Sequence, residues 1–295
     1  MTTAGHDRFI DAAGLRTHFI DIGTGTPLVL LHGLSANAHS FAGLIDAGLA
    51  TGYRIIAPDL RGRGQTDHPA TGYRMADHAG DVIALLDALG LDRVVLGGHS
   101  FGGYLAAYIA AEFPQRISRL IVIDAALTVN PRAAEMLKPS LDRLTRVSPS
   151  ADAYLAEVRS APYMDGEWDH AVEEYFRAEI TIAEDGTARS ATSAAAIGAA
   201  LMAIGQEAWP DVVARAAHPA LLLNAVGPYG PPGAPPLIEG ANALAMAEAF
   251  PDCRYARVPG NHLTMMFGAG AHAIVRQIEA FLRDLPRTES AGPQS

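Results

Sequence analysis

Short apolar runs alternate along this chain with longer segments whose apolar residues recur at helical spacing. This alternation is typical of a mostly parallel sheet that is covered by helices on both faces. Leu15–Ile22 alternates polar and apolar residues and predicts a half-exposed antiparallel edge strand. Buried strands are predicted at Leu28–Leu31, Arg54–Ala57, Val94–Gly98, Leu120–Asp124, Ala220–Ala225 and Arg254–Val258. Helices are predicted at Ala76–Leu89, Tyr104–Glu112, Ala241–Phe250 and His272–Leu285.

The alternation stops between residues 127 and 217, where no buried strand is evident and the pattern is mainly helical. Glu184-Asp185-Gly186-Thr187 inside this insertion predicts a tight turn that joins two short strands. Because α/β sheets hold ligands in the loops at the carboxyl ends of their strands, we expect the insertion to form a lid. The predicted organisation is a core of residues 1–126 and 218–285, a lid of residues 127–217 and a flexible tail of residues 286–295.

The composition suits a globular enzyme, since 49% of the residues are hydrophobic and 18% are charged. The formal charge of −10 disfavours nucleic acid and anionic membrane surfaces as partners. Cys253 is the only cysteine, so an intrachain disulfide cannot form. Neither a secretory signal nor an apolar stretch of membrane-spanning length is evident. A cytoplasmic protein that acts on a small molecule is therefore expected, and a homo-oligomer stays open.

The most informative motif is Gly98-His99-Ser100-Phe101-Gly102, which stands between a predicted buried strand and a predicted helix. In this setting G-x-S-x-G is typical of a nucleophile elbow, a sharp turn that lifts a serine hydroxyl above the sheet. The glycines are needed because side chains at their positions would collide with the neighbouring backbone. A plain glycine-rich turn is the alternative, and the strand-to-helix setting favours Ser100 as a catalytic nucleophile.

A serine hydroxyl needs a general base at neutral pH, and histidine most often supplies one. His262 lies in Gly260-Asn261-His262, between the last predicted strand and the last predicted helix. Its loop leaves the sheet at the same edge as Ser100, so we expect His262 to be the base. Most other histidines are predicted to lie on the surface or in loops: His6, His18, His39, His68, His78, His170, His218 and His272.

These motifs, with Leu31-His32-Gly33-Leu34 and Ala57-Pro58-Asp59-Leu60-Arg61-Gly62-Arg63-Gly64, resemble the α/β-hydrolase superfamily in type and order. The resemblance implies an α/β-hydrolase fold with a mainly helical lid inserted after the sixth strand. It also implies an oxyanion hole formed by the backbone N–H groups of Leu34 and Phe101. Structural roles are implied for His32, Asp59 and Arg61.

The acid that orients the histidine is less certain, because this chain departs from the family's pattern. In most members the acid follows the strand that corresponds to Ala220–Ala225, but no carboxylate occurs in the segment from Val226 to Gly233. Glu239 is the nearest carboxylate downstream, and it is expected to open the next helix. Asp124 ends the neighbouring predicted strand, and the resemblance implies that some members, including certain haloalkane dehalogenases and zearalenone-type lactonases, place their acid there. The sequence leaves both residues open and favours Asp124.

Hydrolysis of a medium-sized hydrophobic ester or lactone through an acyl-enzyme is the expected function. A thioesterase or a carbon–carbon bond hydrolase would need the same triad, and a triad-retaining ligand receptor is a further alternative. Dehalogenases and epoxide hydrolases are disfavoured because they use a carboxylate nucleophile where this chain has Ser100. No cofactor is expected, since no paired metal ligands stand out and the glycine-rich turn lacks the G-x-G-x-x-G register.

Overall fold

A computed structural model describes residues 6–128, 130–231 and 233–283. Its central feature is an eight-stranded sheet. The strands are β1 Asp7–Ala12, β2 Leu15–Ile22, β3 Thr26–Leu31, β4 Tyr53–Pro58, β5 Val94–His99, β6 Ile117–Ile123, β10 Ala220–Ala225 and β11 Cys253–Val258, and β7 to β9 form a separate small sheet described below. Their order across the sheet is β1-β2-β4-β3-β5-β6-β10-β11. The first two pairings are antiparallel and all the others are parallel. The predicted architecture is confirmed: a mostly parallel sheet covered by helices, with a mainly helical insertion after the sixth strand. The predicted tail, residues 286–295, lies outside the described residues.

Helices cover both faces of the sheet because successive strand residues point to opposite sides. Val95 packs into one apolar cluster and Leu96 into the other. The helices that cover the sheet are α1 Ala42–Asp46, α2 Met75–Ala88, α3 Phe101–Glu112, α8 Trp209–Arg215, α9 Gly240–Ala249 and α10 Gly268–Leu282, of which α8 is the last helix of the insertion between β6 and β10. Helices α1 and α10 contribute to the first cluster, and α2, α3, α8 and α9 contribute to the second.

The strand β2 is not the edge strand that its alternating pattern predicted. It pairs with β1 on one side and with β4 on the other, so β1 forms the edge. A two-residue turn joins β1 to β2, and both Ala13 and Gly14 adopt positive φ, as the tight turns of hairpins require. The sequence pattern did not indicate β1, because half of its residues are charged and most are only partly buried or exposed.

The insertion between β6 and β10 contains helices and a small antiparallel sheet. The predicted turn is confirmed, because residues 183–187 join β8 to its antiparallel partner β9. The helices are α4 Ala133–Asp142, α5 Ala151–Arg159, α6 His170–Ala178 and α7 Ala194–Ile204, and the strands are β7 Val147–Ser148, β8 Ile180–Ile182 and β9 Ala188–Ser190. In the described part of the chain, no helix is both long and apolar enough to span a membrane.

Candidate active site

The turn between β5 and α3 holds Ser100 in an unusual backbone conformation, with φ 54° and ψ −117°. Its N–H donates to the carbonyl oxygen of Ile123, 2.8 Å away, which fixes the turn against the end of β6. A Cβ atom at Gly98 would overlap the backbone of Gly102, and one at Gly102 would overlap the carbonyl of Leu31. Only glycine fits these positions, so the strained turn follows directly from the motif.

His262 lies in the loop between β11 and α10, and several hydrogen bonds fix this loop. The side-chain oxygen of Asn261 accepts from the N–H groups of Leu263 and Thr264, each at 2.9 Å. The side-chain amide of Asn261 donates to the carbonyl of Tyr163 in the insertion at 2.9 Å. The position of His262 is thus determined by both the core and the insertion.

The residue next to the nucleophile, His99, also holds the histidine loop. Its Nε2–H donates to the carbonyl oxygen of His262 at 2.7 Å, and the two rings lie 4.7 Å apart. Burial lowers the pKa of His99 well below its usual value, so the ring stays neutral. The sequence alone did not indicate this role of His99. Its place inside the G-x-S-x-G motif was the only available signal.

Asp124 directly follows β6, and its carboxylate contacts His262. Asp124 Oδ2 lies 2.7 Å from His262 Nδ1. Asp124 Oδ1 accepts hydrogen bonds from the side chain of Asn224 and from the N–H of Ala225, both at 2.9 Å. The structure therefore brings Asp124 and His262 together. Glu239, in contrast, is exposed and precedes the first residue of α9.

The segment after β10, where most family members carry the acid, is held against the loop of His262 by a backbone hydrogen bond. The N–H of Gly227 donates to the carbonyl of Gly260 at 2.8 Å. A Cβ atom at Gly227 would lie only 2.8 Å from that same oxygen. No side chain fits there without moving the loop that carries His262, which agrees with the missing carboxylate in the sequence.

The loop after β3 lies beside the nucleophile. A Cβ atom at Gly33 would lie 3.6 Å from the Cβ of Ser100. His32 donates from Nδ1 to the carbonyl of Gly33 at 2.8 Å and accepts at Nε2 from the N–H of Leu60 at 2.9 Å. Burial lowers the pKa of His32 to about 4, so this ring is a neutral brace for the loop.

The candidate residues share one cavity of about 350 Å³. Those from the core are Leu34, Ser100, Phe101, Asp124 and His262. The apolar and aromatic residues from the insertion include Leu137, Tyr163, Tyr175, Phe176, Ile204 and Trp209. The insertion therefore forms a wall of the cavity that Ser100 faces.

A polar network interrupts the apolar wall. The guanidinium of Arg143, which lines the cavity, donates to both carboxylate oxygens of Glu179 at 2.9 and 3.0 Å. It also lies 3.3 Å from the hydroxyl oxygen of Tyr163. The Tyr163 ring stacks on Tyr229 at 5.9 Å, and Tyr229 meets the ring of His262 edge-on at 5.8 Å. This network therefore brings polar atoms into the wall of the cavity that His262 also lines.

Four histidines that were predicted to lie on the surface or in loops are buried instead: His18, His39, His78 and His218. The prediction is wrong for His18 and His78, which lie in β2 and α2, whereas His218 does lie in a loop, the one before β10. Each ring is covered by residues that are remote in sequence. His18 lies within β2 and contacts Asp59. His78 lies on the inner face of α2 and packs edge-on against Phe101 at 5.1 Å. His218 donates to the carbonyl of Pro114.

The family model described as the alpha/beta hydrolase fold matches residues 26–222. This region contains Ser100 and Asp124 and covers more than half of the 295 residues. This chain therefore belongs to the α/β-hydrolase family.

Curated relatives match over part of their length. A soluble epoxide hydrolase of Corynebacterium sp. strain C12 is 40% identical over 111 residues, which are 38% of each chain. A 2-hydroxy-6-oxo-2,4-heptadienoate hydrolase of Pseudomonas putida strain F1 is 35% identical over 148 residues, 48% of this chain and 54% of the relative. The chain spans between about a third and about a half of the curated relatives it matches.

Solved structures match over nearly the whole chain. An E-2-(acetamidomethylene)succinate hydrolase superposes with a TM-score of 0.79 at 22% identity, covering 94% of this chain and 98% of that one. An enol-lactonase of Burkholderia xenovorans LB400 superposes with a TM-score of 0.70 at 23% identity, covering 94% and 100%. At these identities the similarity establishes the fold alone.

Proposed function

We propose that this protein is a serine hydrolase that cleaves a carboxylic ester or lactone through an acyl-enzyme. One observation carries the proposal. Ser100 lies in a strained elbow that faces the same cavity as the hydrogen-bonded pair of His262 and Asp124. A nucleophile that lines the same cavity as a hydrogen-bonded base and acid supplies the components of the serine-hydrolase triad.

In the proposed reaction, His262 Nε2 removes the proton of Ser100 while Oγ attacks the substrate carbonyl. Asp124 keeps the ring in the tautomer with Nδ1–H and stabilises the imidazolium that forms. The N–H groups of Leu34 and Phe101 stabilise the oxyanion; neither is hydrogen-bonded to another residue that the structure describes. His262 then protonates the leaving alcohol and activates the water that hydrolyses the acyl-enzyme.

The cavity supports a medium-sized substrate with mixed chemistry. Its volume of about 350 Å³ suits a small organic ester or lactone. The aromatic wall favours an apolar body, and the Arg143 and Tyr163 network favours a polar group at the far end. We also propose that the insertion acts as a lid, since it supplies this wall and contacts the loop of His262 through Asn261.

A carbon–carbon bond hydrolase is the second candidate, and the same polar wall favours it. The similar heptadienoate hydrolase acts on an acid by its name, and Arg143, whose guanidinium is paired with Glu179, is the arginine that lines this cavity. Epoxide hydrolysis is less well supported, in spite of the similar epoxide hydrolase. A serine attacking an epoxide carbon would form an ether, which water does not readily hydrolyse.

The test is a panel of aryl esters, lactones, thioesters and ring-cleavage-type keto acids, assayed with wild type and with Ser100→Ala. We expect esters or lactones to give the highest kcat/KM, and Ser100→Ala to lose activity on every substrate. Highest activity on a thioester or a keto acid would replace the proposed substrate class. A burst without turnover would favour a ligand receptor, and activity that survives in Ser100→Ala would overturn the proposed mechanism.

A further inference from the structure

A second cluster of chemically active side chains lies outside the cavity of Ser100. Asp7 comes from β1, His18 from β2, and His39 from the short 3₁₀ turn Ala38–Phe41 that ends the loop after β3. One ligand atom from each residue lies within 4.8 Å of the other two. No residue of this cluster lines the Ser100 cavity, so the cluster calls for an explanation of its own.

The distances within the cluster fit a tetrahedral metal site. His18 Nε2 lies 2.9 Å from Asp7 Oδ1, and His39 Nε2 lies 3.3 Å from the same oxygen. In a tetrahedral zinc site with ligand bonds of about 2.0–2.1 Å, neighbouring ligand atoms are about 3.3 Å apart. A metal ion could therefore be accommodated with shifts of a few tenths of an ångström.

Both histidines have a carboxylate on their other ring nitrogen. His18 Nδ1–H donates to Asp59 Oδ2 at 2.7 Å, and His39 Nδ1 lies 3.6 Å from Glu174 Oε1. Asp59 is itself fixed, because its Oδ1 accepts from the N–H of Ala38. Metal-bound histidines are almost always oriented in this way by an outer carboxylate or carbonyl, which directs the free nitrogen lone pair at the ion.

The charges in the cluster favour a cation at its centre. With Nδ1–H donated to Asp59, the Nε2 lone pair of His18 faces the Asp7 carboxylate unless a proton or a metal ion lies between them. Three carboxylates, those of Asp7, Asp59 and Glu174, lie against the rings of His18 and His39, so a divalent ion would offset part of their negative charge. Such an ion has access, because the Asp7 side chain is 35% exposed although the His18 side chain is fully buried.

We propose that Asp7, His18 and His39 bind a divalent transition-metal ion of the Zn²⁺ class, with solvent as the fourth ligand. Imidazole and carboxylate together suit zinc better than magnesium. The site joins the β1–β2 hairpin to the turn Ala38–Phe41. The contact of His39 with Glu174 also connects it to α6 of the insertion. Its role is structural, since none of its ligands faces the cavity of Ser100.

The test is isothermal titration of the full-length, untagged, chelator-treated protein with ZnCl₂, and separately with MgCl₂. We expect one Zn²⁺ to bind per chain and Mg²⁺ to give no saturable heat. Asp7→Asn and His39→Gln are each expected to raise the Kd for Zn²⁺ at least tenfold, and Glu174→Gln by about tenfold. Asp11→Asn is the matched control, because it removes the same charge from an exposed position of the same strand. It should leave the Kd within about twofold.

Circular dichroism of each variant shows whether it is folded, so that a loss of zinc binding can be told from a loss of folding. The visible spectrum of the protein with Co²⁺ in place of Zn²⁺ shows whether the bound ion is tetrahedral. Absence of saturable Zn²⁺ binding to the wild type would mean that protons alone hold the cluster, and would overturn the proposal. An unchanged Kd in folded Asp7→Asn and His39→Gln would also overturn it. So would zinc binding that is lost in His262→Gln and retained in His39→Gln, because the ion would then bind beside Ser100.

Discussion

At the scale of single residues, the carboxylate of Asp124 is fixed through both of its oxygens. Oδ2 contacts His262, and Oδ1 accepts from the side chain of Asn224 and the N–H of Ala225. Asn224 is fixed in turn, because its side-chain amide donates to the carbonyl of Ile238 and its side-chain oxygen accepts from the hydroxyl of Tyr255. The carboxylate of Asp124 is therefore oriented before any substrate arrives, as the proposed triad requires.

Replacing the acid should disable the proposed triad without unfolding the chain. We expect Asp124→Asn to lower kcat by about 10⁴-fold, since the amide stabilises the wrong tautomer of His262. Steady-state kinetics on the best ester of the panel measures this effect. Glu239→Gln is the matched control, and it should leave kcat/KM within about twofold. A larger loss in Glu239→Gln than in Asp124→Asn would assign the acid to Glu239.

The sequence placed Ser100, His262 and Asp124 around one site because each follows a strand of a parallel sheet, and such strand ends meet at one edge. It did not reveal His99 or Asn224 as supporting residues. His99 contacts a carbonyl that is 163 residues away, and Asn224 contacts a carboxylate that is 100 residues away. Such pairs depend on the detailed packing of neighbouring elements, which local patterns do not encode.

At the scale of elements, the elbow depends on how closely α3 approaches the strands. The space at Gly102 is filled by the carbonyl of Leu31 at the end of β3, whereas a Cβ at Gly103 would lie 3.1 Å from its nearest neighbour, the carbonyl of Gly98. Consecutive residues of one helix thus differ sharply in the space that surrounds them. Backbone atoms cannot move aside as flexible side chains can, so the difference should be visible in stability.

We expect Gly102→Ala to prevent folding or to lower the free energy of unfolding by more than about 3 kcal/mol. Gly103→Ala should cost less than about 1 kcal/mol, because its contact is tight but does not overlap. Urea denaturation of the two purified variants measures the difference. Equal stability of the two variants would contradict the close approach of α3 to the end of β3.

The elements that the sequence predicted well have a strong local pattern, such as the continuous apolar run of β5 and the helical spacing of apolar residues in α2. The edge strand β1 was missed because it is half polar, and β2 was mistaken for the edge as a result. Within the insertion the sequence predicted the turn between β8 and β9 but not which side chains line the cavity. Trp209 and Tyr163 line it, whereas Trp168 and Tyr154 do not. The helical spacing of apolar residues alone does not show which neighbouring element the apolar face of a helix packs against.

At the scale of the whole molecule, burial keeps several histidines neutral. Burial lowers the pKa of His32 to about 4, and it lowers the pKa of both His78 and His99 well below 6.5. In the unfolded chain these rings accept protons near pH 6.5. Below that pH the unfolded state binds more protons than the folded state, so the free energy of unfolding falls as the pH falls.

For His32 alone, we expect a loss of about 3 kcal/mol of stability between pH 6.5 and pH 4, and His78 and His99 should add to it. Urea denaturation at a series of pH values measures the slope. His78→Leu is the informative variant, because neither ring nitrogen of His78 has a hydrogen-bond partner among the described residues. This variant should be more stable and should show a shallower slope. Stability that stays constant down to pH 4 would contradict the neutral burial of these rings.

The proposed reaction begins with Ser100 as the nucleophile, and covalent labelling tests this assignment most directly. The wild type and Ser100→Ala would each be treated with a fluorophosphonate and measured by intact-protein and peptide mass spectrometry. We expect the wild type to gain one adduct, located on Ser100, and Ser100→Ala to gain none. An adduct on another residue of the wild type, or equal labelling of Ser100→Ala, would contradict the assignment.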